Sequence, residues 1–192
     1  MTEKYKTNNL ELNTKKKLFN KAVSYLAKFE TTTGKLKLIL EKFASNNLPG
    51  VSHKIISHQI SEVVLKCEKL NYVSDENFLE NKIVYFLKKG LSLKVIENRL
   101  REFQIDAEKY KKVLHSFYED DKNLELKSAI YLAKKKRIGP YSYKEDNKEN
   151  IKLFQSWMGI FSRAGFNYDI SKRVLSSQNI EDLENILSNF EK

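Results

Sequence analysis

The side chains able to do chemistry are few and scattered along the chain. His53, His58 and His115 stand at no i, i+3 or i, i+4 spacing from one another, the spacing that would put two imidazoles on one helix face to share a metal. Cys67 has no second cysteine to pair with, which fits a reducing, cytoplasmic setting. It falls in an apolar stripe with Ile56, Ile60, Val63 and Val64, so it reads as an inert core thiol rather than an activated nucleophile. Asp75-Glu76 and Glu119-Asp120-Asp121 fit a helix start and a turn better than a Mg²⁺ site, and no Gly-rich run offers a phosphate cradle. These residues predict no catalysis, metal or cofactor, and turn attention to binding.

The densest charge is Lys134-Lys135-Lys136-Arg137, followed at once by Ile138-Gly139-Pro140-Tyr141. One reading is a solvated helix C-terminus, where the dipole favours cations. The other is an anion-binding segment, since the Gly-Pro pair fixes a rigid turn and Tyr141 sets an aromatic beside the charges. A net charge of +10 points to a polyanion, either nucleic acid or an acidic protein surface. Lysine supplies most of that charge in a chain also rich in Asn and Ile, so composition alone carries little weight. Arginine, with its planar fork for phosphate or carboxylate, carries more. Arg99 lies between apolar residues and can snorkel, whereas Arg101, Arg163 and Arg173 read as exposed. Trp157 and Tyr168 read as core rather than recognition surface.

The elements that must position these groups are helices. Six Gly and two Pro leave too little punctuation for an all-β fold. No apolar run approaches the roughly 18 residues of a membrane span, and the chain reads as soluble and unexported. Residues 1–13 lack periodicity and are expected to be a mobile N-terminal tail. Thr14 would then cap a helix with Leu18, Ala22, Leu26 and Phe29 on one face. A second stripe is Leu36, Ile39, Leu40 and Phe43, and a third ends at Cys67. Ser74 caps a helix carrying Leu79, Ile83, Phe86 and Leu87; Gly90 ends it and Ser92 opens the next, with Ile96, Leu100 and Phe103. Tyr110, Val113, Leu114 and Phe117 form one more. After the basic helix and a charged loop come Ile151, Phe154, Met158 and Phe161, then Ile170 and Val174, then Leu183, Ile186, Leu187 and Phe190.

These groups repeat. Gly90-Leu91-Ser92-Leu93-Lys94-Val95 aligns with Gly165-Phe166-Asn167-Tyr168-Asp169-Ile170, and Leu100 then falls on Leu175 without a gap. Thr32, Leu36, Leu40 and Phe43 match Ser92, Ile96, Leu100 and Phe103 more loosely. The expected fold is all-α, with three tandem three-helix repeats over 14–71, 72–119 and 120–192 forming an elongated, curved rod.

The run Arg163 to Leu175 resembles the final-repeat signature of the RecX family, in the form found in α-proteobacteria. Ala133 to Tyr141 is similar to the basic segment that precedes it there. Val73-Ser74-Asp75-Glu76-Asn77-Phe78, continued by Lys89-Gly90-Leu91-Ser92, is similar to the middle-repeat motif. Ser74 stands where many relatives have an acid, and Asn71 replaces a usual glycine, asparagine being a residue that tolerates the left-handed conformation. The resemblance spans roughly Ala22 to Leu175. It implies a cytoplasmic, non-enzymatic, monomeric regulator that binds RecA filaments on DNA and mainly inhibits their recombinase, ATPase and SOS coprotease activities. Candidate contacts to RecA or DNA are Lys134, Lys135, Lys136, Arg137, Arg99, Arg101, Arg163, Lys172 and Arg173. Asp75, Phe78, Gly90, Gly139, Pro140, Gly165, Phe166 and Tyr168 are expected to hold the fold. A stand-alone DNA-binding module with helix-turn-helix-like repeats is the alternative.

Overall fold

The computed structural model describes residues 2–143 and 151–188, with side chains from Glu11 onward; the charged loop after Tyr143 and the apolar position Phe190 lie outside the described residues. Among the described residues there are ten α-helices, two short 3₁₀ turns and no strand. The chain is all-α. It divides into two compact units, Met1–Phe78 with Glu102–Asp106, and Leu79–Arg101 with Ala107–Lys192.

In the first unit, α1 (Thr2–Leu26), α2 (Thr33–Asn47) and α3 (His53–Lys69) pack around Leu18, Ala22, Leu36, Leu40, Ile60, Val63, Val64 and Cys67. The thiol is free, and burial pushes its pKa up, as suits a core cysteine. Thr32 caps α2 by accepting from the Lys35 N–H, and its hydroxyl donates to the Phe103 carbonyl at 3.0 Å. Two expectations fail here. Helix α1 begins at Thr2, so residues 2–13 continue the first helix rather than forming a tail. Thr14 is buried in mid-helix instead of capping it. A tertiary contact accounts for this: the Gln59 amide of α3 donates to the Glu11 carbonyl at 2.9 Å. Phe29 lies beyond the end of α1 and is exposed, stacked on Tyr25 at 5.0 Å.

The second unit contains most of α4 (Asp75–Lys88), then α5 (Leu93–Leu100), α6 (Ala107–Asp120), α7 (Leu124–Lys136), α8 (Ile151–Arg163), α9 (Tyr168–Leu175) and α10 (Ile180–Ser188). Its core runs from Ala129, Ile130 and Ala133 of α7 to Trp157 and Phe161 of α8, Val174 and Leu175 of α9, and Leu183 and Leu187 of α10. Helix α7 is buried on nearly all sides. Its polar residues are accommodated individually: the Lys127 ammonium meets Asp121 at 2.5 Å, and the Ser128 hydroxyl reaches the carbonyls of Leu87 and Leu91 at 3.0 and 2.8 Å. The aligned positions Thr32, Ser92 and Asn167 all cap their helices in one way, each accepting from the N–H three residues on.

Candidate functional site

The basic segment is held by its surroundings. Helix α7 closes when Arg137 turns left-handed, at φ 54°, with the Ile138 N–H donating to Ala133 and the Arg137 N–H to Lys134, at 3.1 and 3.2 Å. Gly139-Pro140-Tyr141 then makes a 3₁₀ turn. A Cβ on Gly139 would lie 2.9 Å from Leu175 Cδ2 and 3.1 Å from its Cα, so the turn is pressed onto the last turn of α9, the helix carrying Lys172 and Arg173. Glu184 of α10 fastens the other side, accepting from Lys134 Nζ at 2.7 Å and from the Tyr141 hydroxyl at 2.9 Å. Lys134 holds the Glu184 carboxyl below the usual carboxylate range, with Tyr141 assisting against the opposite push of burial. Burial first, and the carboxylate second, push the Tyr141 phenol up.

These contacts sort the candidate cations. Lys134 is engaged with Glu184. Lys135, Lys136 and Arg137 are exposed and meet no carboxylate among the described residues, and the Arg137 guanidinium lies 5.4 Å from the centre of the exposed Tyr143 ring. Arg163 and Arg173 are likewise exposed and unpaired among the described residues, the former folded back over Gly159. Lys172 sits 5.8 Å from the Tyr168 ring. Arg99 does snorkel, lying 5.4 Å over Phe86. Arg101 is bound within its own unit, 2.9 Å from Glu97, and with Tyr110 this pair raises its pKa.

Of the residues expected to hold the fold, most do. Asp75 accepts from the Thr33 N–H and hydroxyl at 2.8 and 2.9 Å, tying the start of α4 to the start of α2, and Ser74 caps α4 through the Asn77 N–H. Phe78 is buried edge-on to Phe103 at 5.0 Å. Gly90 and Gly165 are left-handed, at φ 78° and 89°, and Phe166 is buried behind the latter. A Cβ on Gly165 would run into the Ser92 hydroxyl and Val95, because the Ser92 N–H donates to the Ala164 carbonyl at 3.0 Å and docks α5 there. Trp157 is core. Tyr168 is not: 61% of its surface is exposed, because α9 faces inward through Ser171, Val174 and Leu175 while its first residue sits at the lip of the helix.

Sequence reasoning passed over Lys82, Tyr85 and Lys89, the outer side of α4. Their i, i+3, i+7 spacing was the available signal, hidden by attention to the buried stripe.

Taken together, the fold and these cations define an all-helical protein whose unpaired charges serve recognition. No family model matches the chain. The regulatory protein RecX of Clostridioides difficile (strain 630) is 33% identical over 168 residues, covering 77% of this chain and 75% of that protein. The crystal structure of RecX from Lactobacillus salivarius is alike in fold, with a TM-score of 0.58 at 23% identity over 91% of this chain and 99% of that one. The chain belongs to the RecX family.

Proposed function

We propose that this protein is a non-enzymatic, cytoplasmic regulator that binds RecA filaments on DNA and restrains their recombinase, ATPase and SOS coprotease activities. Family membership supports the regulator reading. The observation that carries a binding mode is the set of exposed cations without carboxylate partners among the described residues: Lys135, Lys136 and Arg137 at the end of α7, and Arg163 and Arg173 at the ends of α8 and α9. Such groups keep their charge free for acidic side chains or phosphates, whereas Lys134 and Arg101 have spent theirs inside the fold. Several weak contacts on one scaffold gain from effective concentration when the target is a polymer.

The test is ATP hydrolysis by RecA on single-stranded DNA, with and without this protein. Hydrolysis should fall at protein levels well below those that coat the DNA. Unchanged hydrolysis, with tight and steeply salt-dependent binding to naked duplex, would establish the stand-alone DNA-binding module instead.

A further inference from the structure

We propose that the outer face of α4 around Tyr85 is a binding site for single-stranded nucleic acid, with a base stacked on the Tyr85 ring and its flanking phosphates met by Lys82, Lys89 and Lys135. Tyr85 is about half exposed in the middle of the helix, at 49%. The Lys89 ammonium lies 4.3 Å from its ring centre, and the ring is 5.5 Å from Phe86, over which Arg99 sits at 5.4 Å. Lys135 approaches from α7 because that helix is fastened to the end of α4. Ser128 binds the Leu87 and Leu91 carbonyls, and Gly90 is so close to the Leu132 backbone that a Cβ there would come within 2.7 Å of its Cα. The combined field is felt at the phenol, whose pKa is lowered chiefly by Lys89, with Lys82 and Lys135 adding.

A contrast within the chain shows why this face stands out. Tyr118 is also exposed, at 41%, with Lys122 at 4.6 Å, but that lysine is neutralised by Glu119 at 2.6 Å. Lys89, Lys135 and Arg99 have no carboxylate partner among the described residues. Cations alone would suit any polyanion. An exposed ring framed by unneutralised cations suits an anion that also brings flat, unstacked rings, as a single strand does and a duplex does not.

The experiment measures binding of the intact protein to a short oligodeoxythymidylate and to an abasic strand of equal length, without RecA. Tyr85→Ala should weaken oligodeoxythymidylate binding about tenfold while leaving the abasic strand unaffected. Tyr85→Phe, which keeps the ring, should bind like the parent. Lys89→Ala with Lys135→Ala should weaken both strands and reduce the salt slope by about 1. Melting curves should coincide for the parent and the Tyr85 variants. The proposal is overturned if the parent does not bind the oligodeoxythymidylate, or if Tyr85→Ala binds both strands as the parent does. It is equally overturned if Tyr85→Ala spares strand binding and costs only RecA inhibition, which would make the face a protein contact. Because the assay contains no RecA, its failure leaves the regulator reading standing.

Discussion

Helices α7 and α8 close in the same way with opposite residues. At the end of α8 the Phe166 N–H reaches back to Phe161 and the Gly165 N–H to Ser162; at the end of α7, Ile138 and Arg137 do the same to Ala133 and Lys134. In both, the residue after the helix is left-handed, which costs an L-side chain on the order of 1 kcal/mol and costs glycine nothing. At Gly165 the choice is forced, since Ser92 and Val95 occupy the space a Cβ would need. At Arg137 the side chain points into the open beside Tyr143, with no carboxylate partner among the described residues. Glycine would be the more stable residue there. Packing explains the first position, and the second is explained by what the guanidinium does outside the fold.

The largest effects should come from the closed positions. Gly90→Ala drives a methyl into the Leu132 backbone, which cannot rotate away, and adds left-handed strain; a loss of roughly 3 kcal/mol or more in urea denaturation is expected. Gly165→Val should cost somewhat less, roughly 2–3 kcal/mol, because its obstacles are the ends of side chains. Near-parental stability for either variant would remove the packing half of the comparison.

How far the sequence could reveal this follows from where each signal resides. The apolar stripes Leu36-Leu40, Ile60-Val63-Val64-Cys67, Leu79-Ile83-Leu87 and Ile96-Leu100 are buried as their spacing requires. So are the turns at Gly90 and Gly165, because local geometry dictates both. What stayed illegible depends on distant partners. Nothing local says that Thr14 will be buried, that Lys127 will find Asp121, or that Lys134 will be taken by a glutamate fifty residues on. The site was legible as charge and illegible as availability, since which cations are free is decided by the carboxylates the fold brings to the others.

Next in size is Arg137→Gly, for which the sign reverses. Relief of the left-handed arginine should raise stability by about 0.5–1 kcal/mol, while inhibition of RecA hydrolysis should weaken. Loss of stability, or inhibition equal to the parent's, would show that Arg137 is not retained for binding.

The Glu184 clasp beside that closure should have a smaller effect, and one that depends on pH. Its carboxyl is held below the ordinary value in the fold. The stabilisation is therefore complete above the unfolded carboxylate pKa and is lost as pH falls through the lower folded one. Tyr141 is shifted up, so its share is present below the ordinary phenol pKa and fades as pH rises past it. With 39% of its side chain exposed, Glu184 is partly screened, and Glu184→Gln should cost less than about 1 kcal/mol at neutral pH. Thermal melting from neutral to acid pH should show a shallower acid limb in the variant; an unchanged limb would mean the clasp carries no linkage.

The smallest effect is the sharpest control. Asn71 closes α3 in the same manner as Arg137 closes α7, left-handed at φ 55°, with the Tyr72 N–H reaching Cys67 and the Asn71 N–H reaching Glu68, both at 2.9 Å. Asparagine is among the side chains that bear this conformation best, so Asn71→Gly should change stability by only a few tenths of a kcal/mol. It removes no charge, and RecA inhibition should stay at the parental level. Set beside Arg137→Gly, the variant separates two causes. If both lose inhibition, the stiffness of a left-handed residue at a helix end matters, and the guanidinium is incidental. If only Arg137→Gly loses it while gaining stability, the side chain itself makes the contact, and its strained backbone is retained for that contact.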